Sequence, residues 1–152
     1  MYKIDFIRTL LCLILISVFS LSSQFGFRNH AYAQSSKIDD LFIKLQDKDT
    51  KNYEVIEEQI WSEWRKSGSL KSDLLLKRGM NAMAQGDFTA SVEHLTAAID
   101  YTPMFAEAWN MRATVFFLME KYALSVSDIQ QTLKLNPRHF GALSGLGMIF
   151  ER

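Results

Sequence analysis

Two of the three histidines lie outside residues 1–33, and they are the side chains of this sequence best suited to acid–base or metal chemistry. His94 and His139 have no second histidine or carboxylate at the spacing of a zinc motif such as HExxH. His139 follows Pro137, a residue that ends helices. We therefore expect each histidine to be solvated or to cap a helix.

Adjacent carboxylates are the other candidates for catalysis. Asp39-Asp40 and Glu57-Glu58 are neighbours in the sequence, and neighbours on a helix point about 100° apart, so neither pair can act on one substrate atom. The sequence has no GxSxG, GxxxxGK[ST] or GxGxxG motif. We predict no catalytic residue, no metal site and no cofactor, and hence no enzyme.

Charge and cysteine content narrow the choice of partners. Lys+Arg and Asp+Glu are both 17, and without Lys3, Arg8, Arg28 and Asp5 of the N-terminal leader there remain 14 basic and 16 acidic residues. Proteins that follow a phosphate backbone usually carry a basic excess, so no nucleic-acid partner is expected. The one cysteine, Cys12, lies in the leader, which removes disulfides and thiolate sites from the remainder.

Residues 1–33 have the three parts of a secretory signal peptide. Lys3 and Arg8 precede an apolar stretch from Leu10 to Leu21, and an A-x-A pattern ends at Ala33. We predict export to the periplasm of a Gram-negative bacterium, with cleavage after Ala33. Because a span needs about 20 apolar residues, no stable membrane span is expected after cleavage, and an uncleaved anchor is the alternative.

The rest of the sequence repeats at a period of about 34 residues. The residues in register are Phe88 with Tyr122, Ser91 with Ser125, Pro103 with Pro137, Leu75 with Trp109 and Leu143, and Gly79 with Ala113 and Gly147. Small residues allow helices to cross closely, and each proline is placed to follow a helix end. Several residue classes in one register indicate stacked helix pairs.

This pattern resembles the tetratricopeptide repeat. The repeat-defining residues are Leu75, Gly79, Phe88, Pro103, Trp109, Ala113, Tyr122, Pro137, Leu143 and Gly147. The resemblance implies an all-α solenoid of helix-turn-helix repeats, about two and a half units long. The units run over 72–105, 106–139 and, partially, 140–152, after a divergent N-terminal helical cap at 34–71 and the signal peptide at 1–33.

The N-terminal cap is expected to be atypical because one face of a terminal unit meets water. Its Trp61 and Trp64 stand where the repeat normally has small residues. We predict that they pack on the first repeat around Leu74, Leu75 and Arg78.

Proteins of this family use the first helix of each unit to line a concave groove for an extended peptide or a helix. By resemblance, the groove of this chain would be lined by Asp73, Leu76, Met80, Met83, Glu107, Asn110, Thr114 and Phe117. Methionine suits varied apolar partners, although Met80 and Met83 could instead fill the core. The positions of the carboxylate clamp found in chaperone-binding members carry apolar residues or glycine, so that role is not expected.

The last predicted helix, from Phe140 to Arg152, has more apolar residues than one face can bury. Exposed apolar surface of this kind indicates an interface or an aggregation risk. We expect a non-enzymatic interaction module or scaffold that binds a protein or peptide partner in the bacterial envelope. The alternatives are an assembly subunit that self-associates through this C-terminal helix, and a C-terminally shortened repeat protein with little independent function.

Overall fold

The computed structural model of the chain describes residues 37–152. The predicted signal peptide and its cleavage site lie outside the described residues. The described part contains seven helices and no strand, which confirms the predicted all-α repeat fold. The helices are α1 at residues 37–46, α2 at Tyr53–Trp64, α3 at Leu70–Ala84, α4 at Phe88–Tyr101, α5 at Ala106–Leu118, α6 at Tyr122–Leu135 and α7 at Phe140–Phe150. Within 37–152, none of them is both long enough and apolar enough to cross a membrane.

The described part of the chain divides into two units, residues 37–60 and Trp61–Arg152. In the described part of the first unit, a short turn follows α1. The Thr50 hydroxyl donates to the Lys44 carbonyl oxygen at 2.8 Å, and the Asp49 N–H donates to the Asp47 carboxylate at 3.1 Å. The first bond satisfies a carbonyl of the last turn of α1, where carbonyls lack partners within the helix, and the second fixes the turn itself.

The second unit is built from two helix pairs, α3 with α4 and α5 with α6, followed by α7. Gly86 turns the chain between α3 and α4 with a φ of 78°, and Glu120 does so between α5 and α6 with a φ of 59°. The helices α4 and α6 end just before Pro103 and Pro137, as expected for a residue that cannot continue a helix.

Small side chains set the distance between the two helices of a pair. A Cβ atom added at Gly79 would lie 2.6 Å from Leu95 Cγ on the facing helix. The Ser91 hydroxyl donates to the Gly79 carbonyl oxygen at 2.8 Å, and the Ser125 hydroxyl donates to the Ala113 carbonyl oxygen at the same distance. Each pair is therefore joined by an interhelical hydrogen bond at the crossing point, one repeat apart.

The main core lies between α3, α4 and α5. Its buried members are Leu76, Leu95, Ala98, Ile99, Phe105, Ala108 and Val115. A smaller cluster joins α5, α6 and α7 through Ala113, Ile129 and Ala142. Each helix pair thus covers the apolar face of the next, as stacked repeats must.

A buried ion pair joins α5 to α6 and reaches α4. Arg112 Nε and Nη2 donate to the two carboxylate oxygens of Asp128 at 2.7 and 3.0 Å, which is the bidentate geometry preferred by arginine. Arg112 Nη1 donates to the Thr96 hydroxyl at 2.9 Å. The Asp128 side chain is 5% exposed and that of Arg112 15%, so three helices meet at one polar contact.

Candidate interaction groove

Three residues one repeat apart occupy the second position of the successive repeat units, 72–105, 106–139 and 140–152. They are Asp73 in α3, Glu107 in α5 and Gly141 in α7, and we call them the second-position row. Each lies against residues 61–67 of the same chain, directly or through His139. We call residues 61–67 the tryptophan segment.

Asp73 holds the turn before α3. Its Oδ1 accepts hydrogen bonds from the backbone N–H and the hydroxyl of Ser67, at 2.7 and 2.6 Å. Gly68 then takes a φ of 82°, a left-handed conformation that glycine adopts without strain. Ser69 caps α3 by accepting from the Ser72 N–H. The carboxylate of Asp73 therefore binds the chain itself.

Glu107 is hydrogen-bonded to His139, which lies two residues before Gly141 in the chain. Glu107 Oε2 lies 2.9 Å from His139 Nε2, and the Asn110 amide donates to the same oxygen at 3.4 Å. The other imidazole nitrogen, Nδ1, accepts from the Ala142 backbone N–H at 3.2 Å. Because a backbone N–H can only donate, Nδ1 carries the lone pair, and Nε2 carries the hydrogen that is donated to the Glu107 carboxylate.

These hydrogen bonds define what His139 does. It caps α7 through Nδ1, in agreement with the predicted capping role, but it is 0% exposed and thus not solvated. Glu107 is 1% exposed, so a substrate cannot reach either side chain. The pair instead links the first turn of α5 to the first turn of α7. Nowhere in residues 37–152 are three His, Cys, Asp or Glu side chains grouped to hold a metal ion.

Trp61 and Trp64 pack against the turn between α6 and α7. The Trp64 ring stacks on His139 with ring centroids 4.3 Å apart and planes 18° apart, and Trp61 meets Phe140 edge-on at 4.9 Å. A Cβ atom added at Gly141 would lie 2.4 Å from Trp61 Cη2, so the missing side chain makes room for the indole. We call His139, Phe140 and Gly141 the aromatic seat.

These contacts correct the predicted position of the two tryptophans. They were expected around Leu74, Leu75 and Arg78, but Leu74 is 49% exposed whereas Trp64 is 9% exposed at the aromatic seat. The physical reason is shape, since the seat offers a flat imidazole face and a glycine gap for two planar rings. Leucine and arginine side chains on the outside of α3 offer neither.

A small pocket continues the same surface beyond Gly141. It lies between α5 and α7 and has a volume of about 60 Å³. The residues that line it include Asn110, Thr114, Phe117, Ile129, Gly145 and Met148. Sites for small organic ligands usually have about 300–1,000 Å³, so this pocket fits a single side chain and not a cofactor.

Three of the eight predicted groove residues meet at this pocket, namely Asn110, Thr114 and Phe117. Asp73 binds Ser67. Glu107 is 1% exposed and bound to His139, so a partner cannot touch it, and its assignment to the groove is corrected. Sequence reasoning did not find the aromatic seat, and the only signal for it was tryptophan at positions where the repeat normally has small residues.

The three remaining predicted residues belong to the core side of α3. Leu76 is 2% exposed and packs with Leu95, so a partner cannot touch it, and its assignment to the groove is corrected. Met80 and Met83 are half-buried and pack against the same core, which favours the alternative that they fill it.

The last helix buries one face and exposes another. Leu146 and Ile149 pack against the cluster at α5 and α6. Leu143, Met148 and Phe150 are 51%, 48% and 79% exposed. The prediction that the apolar residues of this helix cannot all be buried on one side is confirmed.

Comparison with known proteins places these helices in context. A family profile described as tetratricopeptide repeat matches residues 76–124, from α3 into α6. A TPR repeat-containing protein of Rhizobium etli is 38% identical over 125 residues, which cover 82% of this chain and 61% of that protein. Protein SGT1 homolog of Homo sapiens is 28% identical over 82 residues, 54% of this chain and 22% of that protein. A FAM10 family protein of Arabidopsis thaliana is 31% identical over 71 residues, 47% of this chain and 16% of that protein. The chain spans less than two thirds of the length of each of these relatives.

Proposed function

We propose a binding function for this chain, which belongs to the tetratricopeptide-repeat family. It is a non-enzymatic interaction module that binds a segment of a partner protein between α5 and α7. Proteins of this family generally act by binding other proteins. The observation that carries the proposal is the side-chain-sized pocket at which Asn110, Thr114 and Phe117 meet.

The lining of the pocket suits one apolar side chain of a partner. Phe117, Ile129 and Met148 supply apolar contacts, and Thr114 supplies a hydroxyl at an exposed position. A buried apolar anchor surrounded by polar groups is the usual arrangement at the centre of a protein interface. The non-enzymatic assignment is supported by the burial of the Glu107–His139 pair, which no substrate can approach.

Export of the chain is part of the proposal and rests on the leader sequence. Lys3, Arg8, the apolar stretch after them and the A-x-A pattern at Ala33 support secretion to the bacterial periplasm with cleavage at that point. N-terminal sequencing of the protein recovered from the periplasmic fraction should begin at Gln34. Recovery of the intact N-terminus in the membrane fraction would favour a retained anchor instead.

Site-specific cross-linking tests the binding function. The chain is expressed from its full sequence in the host envelope, and cross-linked partners are compared between Thr114→Arg and Leu124→Arg. Thr114→Arg fills the pocket mouth and should lower capture of a specific partner about tenfold, whereas Leu124 is 49% exposed on α6, away from the pocket. Equal capture by both variants would contradict binding at the pocket.

A second candidate function, assembly through α7, is favoured by the exposed Leu143, Met148 and Phe150. Exposed apolar surface of this kind can pair with a second copy. Light scattering over the micromolar range should then show a concentration-dependent dimer that Phe150→Glu abolishes. A monomer at every concentration excludes this function.

A further inference from the structure

The concave surface that should receive a partner is already partly covered by the chain itself. The tryptophan segment binds all three members of the second-position row: Ser67 on Asp73, Trp64 on the His139 that Glu107 holds, and Trp61 on Gly141. The pocket between α5 and α7 also includes Gly141 in its lining. The tryptophan segment therefore lies beside the pocket, and Gly141 belongs to both.

The aromatic seat is shaped for two rings on one helical turn. Trp61 and Trp64 are three residues apart at the end of α2, a spacing that puts two side chains on the same face of a helix. Their rings contact each other at 5.3 Å, and both also contact His139 and Phe140. An extended peptide would place residues i and i+3 on opposite faces, so the seat matches a helix and not a strand.

The turn that follows the segment contains a glycine with open space around it. Gly68 is exposed, has a left-handed φ, and a Cβ atom added to it would meet nothing within 4 Å. Asp73 binds Ser67 through one carboxylate oxygen, and the N–H of Ser69, the residue that caps α3, donates to the Ser67 hydroxyl at 3.1 Å. Hydrogen bonds of Ser67 therefore join the segment to the start of α3, beside this glycine.

We propose that the tryptophan segment is an internal occupant of the groove, and that the partner is a helix which presents two aromatic side chains three residues apart and binds by displacing it. This inference rests on the proposed function, because it concerns the same surface. It adds the chemistry of the partner. It also adds a competition between the partner helix and the tryptophan segment, which lowers the apparent affinity of the protein for the partner. A partner bound to the fraction of molecules with an open groove shows an affinity reduced by that fraction.

A synthetic helix tests the competition directly. A labelled peptide of residues 53–66 of this chain is titrated against the full chain and against its Trp61→Ala, Trp64→Ala double variant. The double variant should bind the peptide about tenfold or more tightly than the unchanged protein. The same peptide with both tryptophans replaced by alanine is the control and should bind neither protein.

A second variant, Asp73→Ala, tests the inference even if the double variant does not fold. Asp73→Ala removes the acceptor for Ser67 and leaves the aromatic seat unchanged, so it should also raise affinity for the peptide, with helical circular dichroism preserved. Equal affinity of the peptide for all three folded proteins, or no binding to any of them, would overturn the inference. A dimer of the unchanged protein that dissociates when both tryptophans are replaced would also overturn it, because the occupant would then come from a second copy.

The cross-linking experiment separates this inference from the function on which it rests. If Thr114→Arg abolishes capture and the double tryptophan variant leaves capture unchanged, the binding function stands and the internal competition is wrong. If the double variant raises capture of a partner and Thr114→Arg lowers it, both stand.

Discussion

The indole of Trp64 lies face to face with the imidazole of His139, and that imidazole is fixed by hydrogen bonds at both of its nitrogens. Glu107 accepts from one nitrogen and the Ala142 N–H donates to the other. A ring with two fixed nitrogens cannot rotate, so it presents a constant flat face to the indole. The buried polar pair thereby supports an aromatic contact between residues more than two repeats apart.

Removal of the Trp64 side chain should destabilise the fold strongly. The residue is 9% exposed and contacts Trp61, His139 and Phe140, so Trp64→Ala should lower the free energy of unfolding by about 3–5 kcal/mol. Urea denaturation followed by circular dichroism measures this change. Leu70→Ala is the control, because Leu70 is 91% exposed, and an unchanged midpoint for Trp64→Ala would show that the stack is absent.

Loss of the Glu107 carboxylate should leave a buried donor without an acceptor. Glu107→Ala deprives His139 Nε2–H of its partner and should cost about 1–3 kcal/mol, the usual penalty for an unsatisfied buried group. Glu107→Gln keeps an oxygen at the same place and should cost clearly less. Thermal unfolding of the two variants compares them, and equal losses would mean that the hydrogen bond is not what stabilises His139.

Two glycines at the same repeat position should respond to alanine in opposite directions. A Cβ atom at Gly79 would lie 2.6 Å from Leu95 Cγ, so Gly79→Ala should cost about 1–3 kcal/mol through overpacking. A Cβ atom at Gly147 would meet nothing within 4 Å, so Gly147→Ala should stabilise α7 by about 1 kcal/mol through helix propensity. Melting temperatures that shift in the same direction would contradict the crossing geometry.

Removing one partner of the Arg112–Asp128 pair should lower the free energy of unfolding more than replacing both partners with apolar residues. Asp128→Ala leaves a largely buried guanidinium without its carboxylate and should cost about 3–5 kcal/mol. Replacement of both residues, Arg112→Met with Asp128→Leu, should cost less than the single change because no charge remains unpaired. Urea unfolding of the two variants decides the point, and a larger loss for the double variant than for Asp128→Ala would argue against a coupled pair.

The sequence contained most of the helical architecture because that architecture depends on local and periodic signals. The prolines after helix ends and the small residue at Gly79 both act within one repeat. The repeat period also identified Ser91 and Ser125 as equivalent positions. It did not predict that their hydroxyls donate to carbonyl oxygens of the facing helix.

Contacts without a periodic signal could not be predicted in the same way. The Arg112–Asp128 pair has no counterpart one repeat earlier, where the equivalent residues are Arg78 and His94 and both side chains are basic. The seat for Trp61 and Trp64 forms between residues far apart in the chain, so spacing carries no information about it. The position of Leu76 within the repeat predicted a groove residue, but the packing around Leu76 places it in the core.

The aromatic seat also bears on how the array comes apart. Stacked repeats touch only their neighbours, so they ordinarily fray from either end at a low free energy of local opening. Here Trp61 and Trp64, at the start of the second unit, pack against His139 and Phe140 at the start of α7. This contact joins residues on either side of both complete repeats. Opening of α7 then requires release of the tryptophans, and the amide protons of α7 should exchange with solvent nearly as slowly as those of α4 and α5.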